Sequence, residues 1–249
     1  MSFGLGHGRT LDDAPGAIGV AAHELPALPD AILTDRAAGR IDPRRWFPNP
    51  ERRFELEIGS GKGTFLVEQA PRAEETNFLG MEWEREFYLY AADRLRRRGV
   101  TNVRMLNANA VEFLQWRCPD AIVAVIHLYF SDPWPKNKHH KNRVIQHAFL
   151  AEAWRTLAPG GELRVVTDHD ELWAWDEQHF ALWTAALAQV PDPVPAWIRG
   201  RVGMNAPFER VAFTPPEWVG DGQLVGTNYE RKFAREDRPA HACTLVKRG

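Results

Sequence analysis

From Phe54 onward, apolar and polar positions follow two alternating patterns. Short apolar runs of strand length are separated by longer stretches with helical spacing. Phe54–Ile58 (FELEI), Asn77–Glu82 (NFLGME), Val103–Leu106, Ile122–Tyr129 and Glu162–Thr167 predict strands. Thr64–Ala70, Glu84–Arg98, Ala110–Trp116, Gln146–Leu157 and Glu171–Ala188 predict the helices that follow them. Gly99 stands just past the second helix, where glycine ends helices cheaply, and Pro159-Gly160-Gly161 closes the fourth. Ile122–Tyr129 is apolar enough for a central strand buried on both faces. His241–Lys247 (HACTLVK) predicts a late edge strand. Strands alternating with helices predict an α/β fold with a doubly wound, mostly parallel sheet. Such sheets bind ligands beyond the carboxyl ends of their strands.

Residues 1–50 are rich in Gly, Pro and Ala with weak periodicity, and predict an irregular N-terminal arm ahead of one domain over 51–249. A chain of 249 residues buries a full core. Net charge is −2, so an anionic partner must be met by a local patch and not by the field of the whole protein. The two cysteines, Cys118 and Cys243, form no CxxC pair, which predicts a reducing compartment and no structural zinc. Met1–Pro15 has no apolar signal core, and the apolar stretch Ala121–Phe130 is interrupted by His127 and too short for a bilayer. A cytoplasmic protein without membrane contact is expected.

The turn after the first strand, EIGSGKGTF, carries Gly59, Gly61 and Gly63. Glycines suit a tight turn with close backbone approach to a ligand. The phosphate-binding GxxxxGK[ST] pattern fails because Gly63 follows Lys62, and GxGxG is not the dinucleotide spacing GxGxxG. Glu57, just before the turn, repels a pyrophosphate but attracts the ammonium and sulfonium of S-adenosylmethionine. Glu82 ends the second strand 19 residues after Gly63, where an acid accepts ribose hydroxyls. Asn109 follows the third strand and is placed to read the adenine edge or the ribose region.

The fourth strand runs into YFSDPWPKNKHHKNR, residues 129–143. Asp132 falls at the strand end, Pro133 and Pro135 stiffen the backbone around it, and Trp134 offers an anchor or a stacking face. Lys136, Lys138, Lys141 and Arg143 follow with His139 and His140 between them and no acid, the make-up of a phosphate-contacting patch. A charge run is also the ordinary make-up of a solvated face.

Together FSDPWPKNKHHKNR, EIGSGKGTFL and GTNYERKF resemble the tRNA (guanine-N7-)-methyltransferase family over roughly residues 54–235, and SFGLGHGRTL resembles the start of that family's arm. The resemblance implies a Rossmann-like sheet of the class I S-adenosylmethionine-dependent type and methyl transfer to N7 of guanosine 46 in the tRNA variable loop. It implies S-adenosylmethionine contacts at Glu57, Gly59, Gly61, Gly63, Glu82, Asn109 and Asp132, with Asp132 at the reacting centre. It implies substrate contacts at Lys136, Asp168, Thr227, Asn228, Tyr229 and Glu230, and RNA contacts at Lys138, His139, His140, Lys141 and Arg143. No obligate protein partner is implied, and a monomer or homodimer is expected. Departures from the family pattern are Asn109 where an acid is frequent, Ser131 where proline is common, and Asn137 and Asn142 where further cations are usual.

Other residues have plainer readings. His127 inside a strand reads as a core histidine. Trp173 and Trp175 read as packing, and Asp168-His169-Asp170 as a strand end plus a helix cap. Arg94 and Arg96–Arg98 read as a solvated helix end that suits the dipole. A methyltransferase for small molecules or proteins lacks need of a phosphate track. A non-catalytic RNA binder gains nothing from acids that repel RNA. A nicotinamide oxidoreductase is disfavoured by the glycine spacing and Glu57.

Overall fold

A computed structural model of the protein describes residues 4–6, 10–11, 19–187, 193–227, 230 and 240–249. The chain forms two units, Met1–Pro119 and Asp120–Gly249. The strands of the first are β1 (Gly19–Ala21), β2 (Arg53–Ile58), β3 (Thr76–Met81) and β4 (Val103–Asn107), in the order β1-β4-β3-β2 and parallel throughout. Helices α1 (Thr64–Gln69), α2 (Arg85–Arg97) and α3 (Ala110–Trp116) follow β2, β3 and β4 in turn. The expected helix-ending glycine is in place. Gly99 has φ 65° and its N–H donates to Arg96, while the N–H of Val100 donates to Leu95.

The segment expected to be an irregular arm is partly ordered. Residues 22–46 contain four short 3-10 helices, and β1 adds a parallel strand beside β4. Three residues are too few to show a period, so the strand was not readable from the pattern.

β2 is buried on both faces at every position but Arg53, and β3 along its whole length. Gly80 in β3 carries the closest packing of this unit. A Cβ there would lie 2.5 Å from Leu66 Cδ1, 2.6 Å from Met105 Sδ and 2.8 Å from Ser60 Oγ. The missing side chain lets α1 and the glycine turn press against the strand.

The second unit contains β5 (Val123–Tyr129), β6 (Leu157–Thr167), β7 (Phe208–Val211) and β8 (His241–Lys247), in the order β5-β6-β8-β7. β5 and β6 are parallel, and β8 runs antiparallel to both β6 and β7. Its helices are α4 (His147–Thr156), α5 (Asp170–Thr184) and α6 (Ala196–Val202). β6 starts earlier than expected. Leu157 already pairs with Val123, and the Pro-Gly-Gly segment forms an irregularity inside the ladder. His127 is the expected core histidine, with Nδ1 2.7 Å from the Tyr129 hydroxyl.

The first unit is parallel throughout, the second joins a parallel pair to antiparallel strands, and helices follow β2 to β6 in turn, the Rossmann-like α/β class expected from the pattern. No helix among the described residues is long and apolar enough to cross a membrane. Gly80→Ala is expected to lower unfolding stability by about 1–3 kcal/mol through overpacking, measured by urea denaturation.

Candidate active site

The carboxyl ends of β2, β3 and β4 gather the first group of candidate residues. Gly59, Gly61 and Gly63 have φ of 74°, 52° and 65°, a conformation that side chains resist, so the turn requires glycine at each. The N–H groups of Gly59 and Ser60 donate to the Met81 carbonyl at 2.9 and 3.1 Å, which pins the turn to the end of β3. Gly59 and Gly61 face open space, leaving their backbone accessible to a ligand.

Glu82 lies just past β3. One carboxylate oxygen accepts the Gly61 N–H at 2.8 Å and the other the Glu84 N–H at 2.8 Å. Each carboxylate oxygen has a second lone pair, so the group can hold the turn and still receive a ribose hydroxyl. Asn109 is committed differently from its expected role. Its Oδ1 caps α3, accepting from Val111 N–H at 2.9 Å and Glu112 N–H at 3.2 Å. For reading a base or ribose it has only its Nδ2 donor to offer.

Glu57 is the electrostatic centre of the group. It is 4% exposed, and among the described residues its Oε2 has no hydrogen-bond partner. Burial raises its pKa to about 8, opposed by a hydrogen bond from Ser60 and assisted by the nearby charge of Glu82. A buried carboxyl with an unused oxygen, under a turn of open backbone, suits a ligand that brings positive charge. S-adenosylmethionine fits this donor set: its cationic end matches Glu57 and its ribose matches Glu82.

Two supporting residues escaped the sequence reading. Asn107 Nδ2 donates to the carbonyls of Glu82 and Trp83 at 2.8 and 2.9 Å, fixing the backbone that carries the Glu82 carboxylate. Arg94, expected in a solvated helix end, is instead partly buried and donates to the Lys62 carbonyl and the Thr64 hydroxyl, both at 3.2 Å. Arg96 and Arg97 hold the buried Asp93. The run of arginines concealed this inward-facing member among outward ones.

The second unit carries the remaining candidates. Past β5 the backbone is strained, with Phe130 at φ 53° and Trp134 at φ 44°. Asp132 sits exposed between them. Lys136, Lys138 and Lys141 are exposed, the last two within a 3-10 helix at Asn137–Asn142. His139 meets the Trp134 ring edge-on at 5.8 Å, and His140 meets Trp175 at 5.6 Å.

Arg143 does not join the expected RNA-contacting row. It is 2% exposed, because its guanidinium turns inward to bond a backbone carbonyl and Glu171. Trp175 packs as expected, and its indole N–H donates to the Ile145 carbonyl at 2.7 Å. Trp173 stacks on His241 with centroids 5.3 Å apart.

Asp168 lies at the end of β6, half-buried, and His169 Nδ1 caps α5 by accepting the Leu172 N–H at 3.3 Å. No group of three or more His, Cys, Asp or Glu among the described residues could hold a metal ion. Glu230 is buried and accepts the N–H groups of Leu224, Val225 and Gly226, so its carboxylate grips its own loop. Thr227 Oγ1 accepts the Glu230 N–H at 3.2 Å and keeps its hydroxyl proton to donate. Asn228 and Tyr229 lie outside the described residues.

A mostly parallel α/β sheet, a GxGxG turn and an acid at the end of the next strand define a Rossmann-like methyltransferase of the class that uses S-adenosylmethionine. Comparison with known proteins agrees. Residues 51–188 match the family model described as "Putative methyltransferase". A tRNA (guanine-N(7)-)-methyltransferase of Nitrobacter hamburgensis is 36% identical over 213 residues, covering 83% of this chain and 81% of the relative. One from Geobacillus thermodenitrificans is 34% identical over 227 residues, covering 91% and 94%. The chain belongs to the tRNA (guanine-N(7)-)-methyltransferase family.

The state of Glu57 has a consequence for stability. Unfolded, the carboxyl ionises near 4.5; folded, only near 8, so between these values unfolding releases a proton and stability falls as pH rises. Glu57→Gln removes this contribution. The variant is expected to gain melting temperature relative to the parent as pH goes from 5 to 8.5, and an unchanged difference between the two melting curves would count against an unpaired buried carboxyl.

Proposed function

We propose that the protein transfers the methyl group of S-adenosylmethionine to N7 of guanosine 46 in the variable loop of tRNA. The observation that carries the tRNA reading is the exposed lysine row, Lys136, Lys138 and Lys141, directly after Asp132 in a family named for tRNA guanine methylation. The cofactor supplies an electrophilic methyl on a sulfonium. Glu57 meets its cationic amino-acid end, the open backbone of Gly59, Gly61 and Gly63 lies along it, and Glu82 receives the ribose hydroxyls. Asn109 contributes one amide donor near the adenine.

Guanine N7 has a lone pair in its ring plane and no proton to lose, so no strong general base is needed. The residues must place N7 in line with the methyl–sulfonium bond at near-attack distance. As the bond forms, positive charge spreads into the guanine imidazole ring. Asp132 stabilises that charge and can accept from the guanine N1 or N2 donors. Asp168 and the Thr227 hydroxyl contribute to base recognition, with Asn228 and Tyr229 beside them in sequence. Glu230 acts by shaping the loop that carries Thr227. Lys136, Lys138 and Lys141 take phosphates, with His139 and His140 between them. Displacing the base from its tertiary pairing costs a few kcal/mol, which these contacts offset. The same reading makes the protein cytoplasmic, acting as a monomer or homodimer with tRNA as its partner.

Labelled S-adenosylmethionine offered with two tRNA transcripts, differing only in guanosine or adenosine at position 46, tests the proposal. N7-methylguanosine found by mass spectrometry in the first transcript alone is the expected result; transfer to both, or to neither, overturns the assigned position. Asp132→Asn is expected to lower kcat by about 100-fold or more, the scale of losing one transition-state stabiliser. Calorimetry should find cofactor affinity little changed in that variant. A loss of cofactor affinity with kcat retained would remove Asp132 from the reacting centre.

A further inference from the structure

The cationic run after Asp132 contains one member that RNA cannot reach. Arg143 is 2% exposed, whereas Lys136, Lys138 and Lys141 are exposed. Its Nε donates to the Pro133 carbonyl at 2.9 Å, and its Nη2 to Glu171 Oε1 at 2.7 Å. The guanidinium lies 5.2 Å from the centre of the Trp175 ring. Pro133 is the residue next to Asp132, so this bond ends on the Pro133–Trp134 peptide, one residue beyond the candidate catalytic carboxylate.

We propose that Arg143 is a positioning residue: a buried guanidinium that folds back across its own loop to hold the Pro133 carbonyl and thereby aim Asp132. This rests on the function proposed above. The surrounding bonds support it. The loop leaves β5 with the Phe130 N–H on the Val166 carbonyl at 2.7 Å. It ends with Gln146 Nε2 on the carbonyls of Lys141 and Arg143, at 2.7 and 2.8 Å, and Trp175 on Ile145. Both ends are fixed by these bonds. Arg143 supplies a side-chain hydrogen bond to the strained middle, between Phe130 and Trp134.

A lone buried guanidinium is costly, and α5 supplies the compensation. Glu171 bonds it directly and is held below its ordinary pKa by it. Asp176 adds little to this compensation: it is 1% exposed, and burial pushes its pKa up to about 8, the Arg143 charge opposing that only in part. Arginine is required because two separate nitrogens of its planar fork, Nε and Nη2, each reach a different acceptor; lysine keeps the charge but has a single nitrogen to place between them.

The test compares Arg143→Lys, Glu171→Gln and Lys138→Ala in the full chain. It measures kcat and KM for tRNA methylation, tRNA affinity across salt concentrations, and thermal unfolding. A phosphate contact contributes to the slope of log affinity against log salt by up to about 0.9, so its loss flattens that slope. Lys138→Ala should flatten it. Arg143→Lys should lower kcat at least 30-fold, and Glu171→Gln about threefold, each with the salt slope of the parent.

Parental kcat in Arg143→Lys, or a flattened salt slope in that variant, overturns the positioning role. Should Arg143→Lys fail to fold, the surface variant Glu171→Gln decides, and parental kcat there overturns it. A parent protein that forms no N7-methylguanosine overturns the proposed function and this inference together. A parent that does, beside an unaffected Arg143→Lys, overturns this inference alone.

Discussion

The hydrogen bond from the Gly61 N–H to the Glu82 carboxylate is the constraint on which the candidate site of the first unit turns. It joins the tip of a left-handed glycine turn to the end of the neighbouring strand. The turn is thereby shaped by protein before any ligand arrives. Gly80 makes this possible from below, since any side chain there would push Ser60 and Leu66 away from the strand. Two acids end adjacent strands yet live in different surroundings. Glu82 is satisfied by backbone donors, while Glu57 is walled in with an oxygen unused. That contrast divides their labour: one builds the turn and offers spare lone pairs, the other holds latent demand for a cation.

The second unit follows a different pattern. Its central loop contains two non-glycine residues in left-handed backbone, which persist only where the surroundings over-determine them. The fixing bonds come from Arg143, Gln146 and Trp175, all C-terminal to the strained segment or on α5. Charge in this loop is thus partitioned between lysines that face outward and an arginine used as internal bracing. Glu230 repeats the theme near the C-terminus, where a carboxylate expected at a substrate is spent on organising three backbone N–H groups.

Most of the architecture was legible because buried parallel strands are near-continuous apolar runs with glycine punctuation. Most strand and helix limits moved by a residue or so, but β6 begins five residues early, at Leu157, and α5 ends at Thr184, short of the expected Ala188. β1, α6 and β7 were missed: the first is three residues long, and the others lie in a tail without a clear period. The grouping of Glu57, the glycine turn and Glu82 was legible from glycine spacing and acids at strand ends, both fixed by local geometry. What sequence could not supply was direction. Nothing in KNKHHKNR distinguishes Arg143, turned inward, from Lys141, turned out. Asn109 had two competing signals, a strand-end position and an N-cap before AVEFLQW, and the cap claimed its oxygen. Arg94 was hidden by its arginine neighbours, although its partners are backbone and hydroxyl groups and no acid.

Strand β1 has a role beyond geometry. β4 would otherwise present a five-residue row of unpaired peptide groups, a template on which other chains can add strands. The N-terminal segment covers that row with only three residues, Gly19–Ala21. The border left to solvent is correspondingly short. A segment that looks dispensable by its composition therefore occupies a sheet border on which another chain could otherwise add a strand.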